Sequence, residues 1–261
     1  MLLPIADDNS DRKITPYINY LLIVANVFVF LFFQQLGSNE LFTYAWSTVP
    51  AEILTGVDQV RPAMLLQIPE TGQQFLRPAL YETPGSVYLT LFTSMFMHGS
   101  FAHLAGNMLY LWIFGDNIEN KLGHLRYLLF YLITGLLAAL SHVFSTYFLA
   151  QDPFIPSLGA SGAISGVLGA YLILFPHRKV HAIFVWFIVT IPALLALGVW
   201  IAFQIISGIG LLSSQSDGVA YAAHIGGFVA GILLIKIFVP KEAKDFANPR
   251  QPFIQRYHGR R

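Results

Sequence analysis

The chain has no cysteine, which excludes a disulfide, a cysteine-based zinc site and a cysteine nucleophile. Charge is scarce too. Only 11% of its 261 residues are charged, where a soluble domain carries about 25%. No His-Glu-x-x-His run is present for an intramembrane zinc protease. No pair of aspartates sits mid-segment, as an aspartyl mechanism would need. The hydrolase elbow Gly-x-Ser-x-Gly is unmatched at Ser161, because Ala163 stands two residues on. No internal repeat relates the two halves, which counts against a transporter or channel. Neither a metal, a cofactor nor a nucleic-acid partner is expected.

What is present is apolar sequence. Hydrophobic residues make up 55% of the chain and the mean hydropathy is +0.60. Apolar segments succeed one another from 17 to 239, which reads as one membrane domain. It lies between a short segment (1–16) and a basic tail (240–261). The first run, 19–33, follows an acidic leader and has no small-residue cleavage site, so an uncleaved helix is expected. Five more follow at roughly 101–119, 125–149, 161–175, 182–212 and 220–239. The fourth of these five is taken as one helix, about 182–200, with an amphipathic cap. The expectation is an all-α bundle of six transmembrane helices. The long first external loop, 34–86, would lie partly in the membrane surface. Six crossings put thirteen of the fifteen Lys and Arg residues on the side of the termini and leave Arg61 and Arg77 opposite. That asymmetry places both termini in the cytoplasm, with a bacterial inner membrane as the expected setting. Asp116 and Glu119 would anchor the end of the second helix near Lys121, and His177 and His181 would lie in a solvated basic loop.

Polar residues inside apolar helices are expensive and point to a site. His103 and Asn107 are four apart and share a helix face. Ser161 opens the fourth helix, and His224 lies in the sixth. Pro156 and Gly159 precede the fourth helix and Pro176 ends it. Its fifteen residues span about 22 Å at about 1.5 Å each, against a hydrocarbon core of about 30 Å. The loop before Ser161 must therefore dip into the membrane, where irregular backbone is tolerated only when shielded by protein or lining water. Small-residue stripes, Ser161-Ser165-Gly169 and Ala220-His224-Gly227-Gly231, would let helices four and six approach closely. Close approach brings the Ser161 hydroxyl within reach of the His224 ring, the geometry of a nucleophile and its base. Taken singly, a serine bonding the carbonyl four residues back or a packed histidine is structural; the shared depth favours a site.

His98-Gly-Ser-Phe-Ala-His103-Leu-Ala-Gly-Asn107, Gly159-Ala-Ser161-Gly162 and Ala223-His224-Ile-Gly-Gly227, in that order, resemble the rhomboid intramembrane serine proteases over roughly residues 90–235. The resemblance implies a Ser161–His224 dyad without an acidic third member. It implies that Gly159 lets the backbone approach substrate. It implies that His103, Asn107 and the Ser161 N–H bind the oxyanion, with His98, Gly162 and Gly227 supporting the site. Substrates would be single-span membrane proteins cut near the outer face; the oligomeric state is not implied. Many members carry an aromatic residue one turn after the nucleophile, packed on the catalytic histidine. This chain has Ser165 there, so His224 is held by other groups or is looser. A non-proteolytic member that escorts membrane helices would show a broken dyad, and this one is intact.

Overall fold

Along the long helices, large apolar side chains face outward at helical spacing while polar ones turn inward. Leu21, Val24 and Phe28 are exposed where Asn19 and Asn26 are buried; Val199 and Phe203 are exposed where Gln204 is buried. Such a surface suits lipid rather than water. The computed structural model describes residues 2–67, 72, 74–209 and 220–240. Among the described residues, two helices are each long and apolar enough to cross a bilayer: His124–Phe148 and Tyr221–Phe238.

The order begins with strand β1 (Leu2–Asp7), then α1 (Tyr17–Phe28), which a π-helical turn extends to Phe33. The following loop carries the short helices α2 (Glu40–Ala45) and α3 (Pro50–Thr55). It continues with the hairpin β2 (Met64–Gln67) and β3 (Gln74–Arg77), then α4 (Thr90–Thr93) between two 3-10 turns. A continuous rod follows: α5 (Phe101–Tyr110), a π-helical turn, and α6 (Asp116–Leu122). Gly123, at φ +77, breaks it from α7 (His124–Phe148), and α8 (Ser161–Leu174) comes next. Strands β4 (Lys179–Phe184) and β5 (Phe187–Pro192) lead into α9 (Ala193–Gly208), and α10 (Tyr221–Phe238) closes the described chain.

Two expectations are corrected here. The fold is mostly helical but not all-α, because β1, β4 and β5 form an antiparallel sheet. The helix expected over 182–200 begins only at Ala193 and runs on to Gly208. Residues 179–192 are rich in β-branched and aromatic side chains, which suit a pleated surface, and β4 buries alternate residues Val180 and Ala182. The hairpin pairs Phe184 with Phe187 and His181 with Thr190. Pro192, in extended conformation, ends β5 and starts α9. His181 bonds Thr190 Oγ1 across the hairpin at 2.8 Å, and no cluster of three metal-binding side chains occurs among the described residues. Residues 201–208 of the expected amphipathic cap instead continue α9, while the rest of the cap after 209 and the basic tail after 240 lie outside the described residues.

At the sheet end, polar side chains tie the elements together. Glu119 accepts the backbone N–H groups of Ile18 (3.0 Å) and Asn19 (2.7 Å), so it caps the start of α1, which has no side-chain cap of its own. Asp116 pairs with Arg12 at 3.1 Å. These carboxylates thus bind the chain before and at α1, not Lys121. Asp7 accepts hydrogen bonds from Tyr171 and Asn117, and Arg178 reaches Asn117, Asp11 and the Asp8 carbonyl.

At the other end of the bundle, α8 and α10 touch backbone to backbone. A Cβ added at Gly227 would lie 2.1 Å from the Gly162 carbonyl oxygen, and one at Gly231 2.0 Å from that of Gly166. The contact runs along Gly162, Gly166 and Gly169, so Ser161 and Ser165 of the expected stripe sit beside it rather than in it.

Candidate active site

The loop before α8 is built to be buried. Thr48 and Ser157 exchange backbone hydrogen bonds at 3.0 and 2.7 Å, and Gly159 N–H donates to the Ser94 carbonyl at 2.8 Å. Thr48 Oγ1 donates to Ser94 Oγ at 2.9 Å. This shielding is what non-helical backbone among membrane helices requires. Gly159 adopts φ +124, a conformation that disfavours any side chain. A Cβ there would also lie 2.8 Å from the His103 ring.

That turn delivers Ser161 as the first residue of α8, with no side chain capping the helix start. First-turn N–H groups have no intrahelical partners, and the helix dipole adds partial positive charge. His224 lies on the first turn of α10, and its Nε2 is 2.8 Å from Ser161 Oγ. The close α8–α10 approach makes this possible. Ser165, one turn on, donates its hydroxyl to the Ser161 carbonyl at 2.6 Å; it is tied to backbone rather than to the histidine.

His103 and Asn107 are set by a helix cap. Ser100 Oγ accepts the His103 N–H at 3.1 Å and starts α5, so both side chains project on one face. The His103 ring lies against Gly159, and Asn107 Nδ2 would be 3.7 Å from a Cβ there. Asn107 is buried and its Nδ2 has no hydrogen-bond partner. A buried donor without a partner is costly and rare, and this one sits behind the turn that precedes Ser161. His98 stands further back. Its backbone N–H and carbonyl both bond the Gln34 amide at 2.9 Å, and its ring meets His103 edge-on.

A cavity of about 1040 Å³ opens over these groups. Gly159, Ser161, Gly162, His103 and His224 line it. Asn107, His98 and Gly227 do not: Asn107 stands beside the wall with its Nδ2 facing the Gly159 position, His98 lies behind His103, and Gly227 is spent on the helix contact. Three further residues surround His224 that sequence reasoning passed over. His142 of α7 lines the same cavity. Gln204 Oε1 is 2.6 Å from His224 Nδ1, and the Trp200 ring stands 6.1 Å from the imidazole. Trp200 and Gln204 are one turn apart on α9, so the histidine is held by α9 rather than by the Ser165 position.

Comparison with known proteins agrees with this arrangement. Residues 85–241 match the Rhomboid domain. The chain is 36% identical over 153 residues to Rhomboid protein 1, mitochondrial, of Saccharomyces cerevisiae, covering 56% of this chain and 40% of the relative. It is 37% identical over 143 residues to Rhomboid protease GluP of Bacillus subtilis, covering 54% and 24%. It is 34% identical over 189 residues to Presenilin-associated rhomboid-like protein A, mitochondrial, of Danio rerio, covering 71% and 46%. Each match spans less than half of the relative's length. Membrane residence fits all three, but two are mitochondrial, so a specifically bacterial inner membrane is not supported. With the matching domain covering more than half of its length, the chain belongs to the rhomboid family.

Proposed function

We propose that the chain is an intramembrane serine endopeptidase that hydrolyses peptide bonds in or near transmembrane segments of other membrane proteins. The observation that carries this reading is the 2.8 Å pairing of Ser161 Oγ with His224 Nε2 in the cavity. A nucleophile within hydrogen-bond reach of an oriented base is what acyl transfer requires.

Ser161 Oγ attacks the scissile carbonyl carbon while His224 Nε2 takes the hydroxyl proton. The carbonyl π-pair moves to oxygen. The resulting oxyanion is met by the Ser161 N–H and by donors from His103 and Asn107, over the backbone of Gly159. Collapse breaks the C–N bond, and the departing amine takes the proton from His224. Water, giving a proton to His224, then attacks the acyl ester carbon; the carbon–Oγ bond breaks, the new carboxyl product leaves, and Ser161 Oγ takes the proton back from His224. Donors that meet charge present only in the transition state are each worth roughly 10²–10³ in rate.

Six helical rods, 17–33, 101–122, 124–148, 161–174, 193–208 and 221–238, support six membrane crossings with the sheet on the cytoplasmic side. Single-span membrane proteins are the substrates this placement suits.

Purified protein in bilayers, given a single-span substrate with a fluorescent reporter, tests the reading. Wild type cleaves, while Ser161→Ala and His224→Ala each lose more than about a thousandfold in turnover and the double variant is no worse. Turnover within tenfold of wild type in either variant would sink the mechanism.

A further inference from the structure

The imidazole of His224 has two nitrogens, and both are engaged. Nε2 faces Ser161 Oγ at 2.8 Å, and Nδ1 faces Gln204 Oε1 at 2.6 Å. A neutral imidazole carries one N–H, and the partner of one nitrogen decides which nitrogen holds it. We infer that Gln204 is a positioning residue for His224: its amide oxygen takes the Nδ1–H and holds the imidazole in the one neutral tautomer whose Nε2 can accept the serine proton. This rests on the protease reading above.

Three observations carry it. Gln204 is one of two polar side chains, with Ser207, in the run Ala193–Gly208 and is only 7% exposed, so bulk water does not compete for the bond. A buried amide among membrane helices is expensive unless it is engaged. Second, Trp200 stands one turn before Gln204 and presents its ring to the same imidazole. The two side chains hold the ring from one helix, its face by packing and its Nδ1 by a hydrogen bond. Third, neither hydrogen bond of the ring goes to a carboxylate. The titratable groups near enough to feel its charge are His103 on α5 and His142 on α7. An amide oxygen selects the tautomer without burying a second charge, which a carboxylate at 204 would do at a desolvation cost. When His224 takes the proton, the Nδ1–H remains bonded and the amide dipole supports the imidazolium.

The test uses the full chain in bilayers and the reporter substrate, with kcat and KM followed against pH. Wild type is measured first. If it does not cleave, the protease reading fails and position 204 is not at issue. Given an active wild type, Gln204→Met, near in volume but without an oxygen acceptor, lowers kcat about 10- to 100-fold with KM within about threefold. The acidic limb of its kcat/KM profile moves to lower pH, because the imidazolium has lost an acceptor. Gln204→Glu keeps an oxygen acceptor and no N–H donor, and it restores most of the rate. Gln204→Leu gives the same readings as Met and guards against one variant that fails to fold. A kcat within threefold of wild type in both Met and Leu, an acidic limb that does not move, or a Glu variant as slow as Met would each overturn the assignment. The last outcome would also be expected if the amide donated to Nδ1 rather than accepted from it.

Discussion

Ser161 and Ser165 have the same side chain one turn apart on α8, and their partners separate them. Ser161 meets an imidazole nitrogen; Ser165 gives its proton to the Ser161 carbonyl. Ser165→Ala therefore keeps activity within a few-fold and loses about 1 kcal/mol of stability with the hydrogen bond. Asn107→Ala removes the donor that lacks a partner in the resting protein. On the proposed mechanism it lowers kcat by roughly 10²-fold with little change in KM, because the charge Asn107 would meet exists only in the transition state. Parallel kinetics on the two variants, with thermal melts, checks both. The polar intruders Ser161, His224, His103 and Asn107 were legible in the sequence because polar groups in apolar helices stand out. Gln204 stands out by the same rule. It was passed over because the expected helix ended near 200, which left Gln204 in a surface cap instead of the bundle.

Helices α8 and α10 meet through glycines whose missing side chains set the distance between Ser161 and His224. Gly231→Val would place a branched side chain where the Gly166 carbonyl oxygen stands. Overpacking of this kind costs about 1–3 kcal/mol, and the helices must part to accommodate it. The variant melts lower and labels slowly with a fluorophosphonate, although Gly231 does not line the cavity; normal labelling would show that the pair tolerates separation. The glycine pattern was readable as a close contact, but its register was not. A stripe of small residues fits two neighbouring faces, and only the partner helix selects Gly162-Gly166-Gly169. The β4–β5 hairpin was hidden for another reason. Its two-residue turn, Val185-Trp186, has no Gly, Asn or Pro, and Val185 adopts φ +58, a conformation branched residues avoid. An apolar run without a turn signal cannot be divided by periodicity alone.

For the whole molecule, the sheet and its polar network join regions far apart in sequence. Burial pushes the Asp7 carboxyl up to about 7, with Asp116 adding to the rise, while the Tyr171 hydrogen bond and Arg178 pull it down. A carboxyl that holds its proton more tightly when folded stabilises the fold most at low pH. That contribution is full below its ordinary value of 3.8 and is lost as pH climbs from there through about 7. Docking of β1 is therefore firmer at pH 6 than at pH 8. Hydrogen exchange of the Leu3, Ile5, Ala6 and Asp7 amides measures this: protection falls across neutrality in wild type, and Asp7→Asn, which cannot ionise, flattens the dependence. Protection that rises with pH would contradict it.

Pairing of Leu2–Asp7 with Lys179–Phe184 also sets an order of events at the ribosome. At about 5–20 residues per second, β1 waits roughly 9 to 35 seconds before its partner strand is made. By then α1, α5, α6, α7 and α8 have been synthesised. The strand stays without its partner through that interval, and an unpaired strand edge is open to wrong pairing. It can close as a clasp only after the helices that carry His103 and Ser161 have been made.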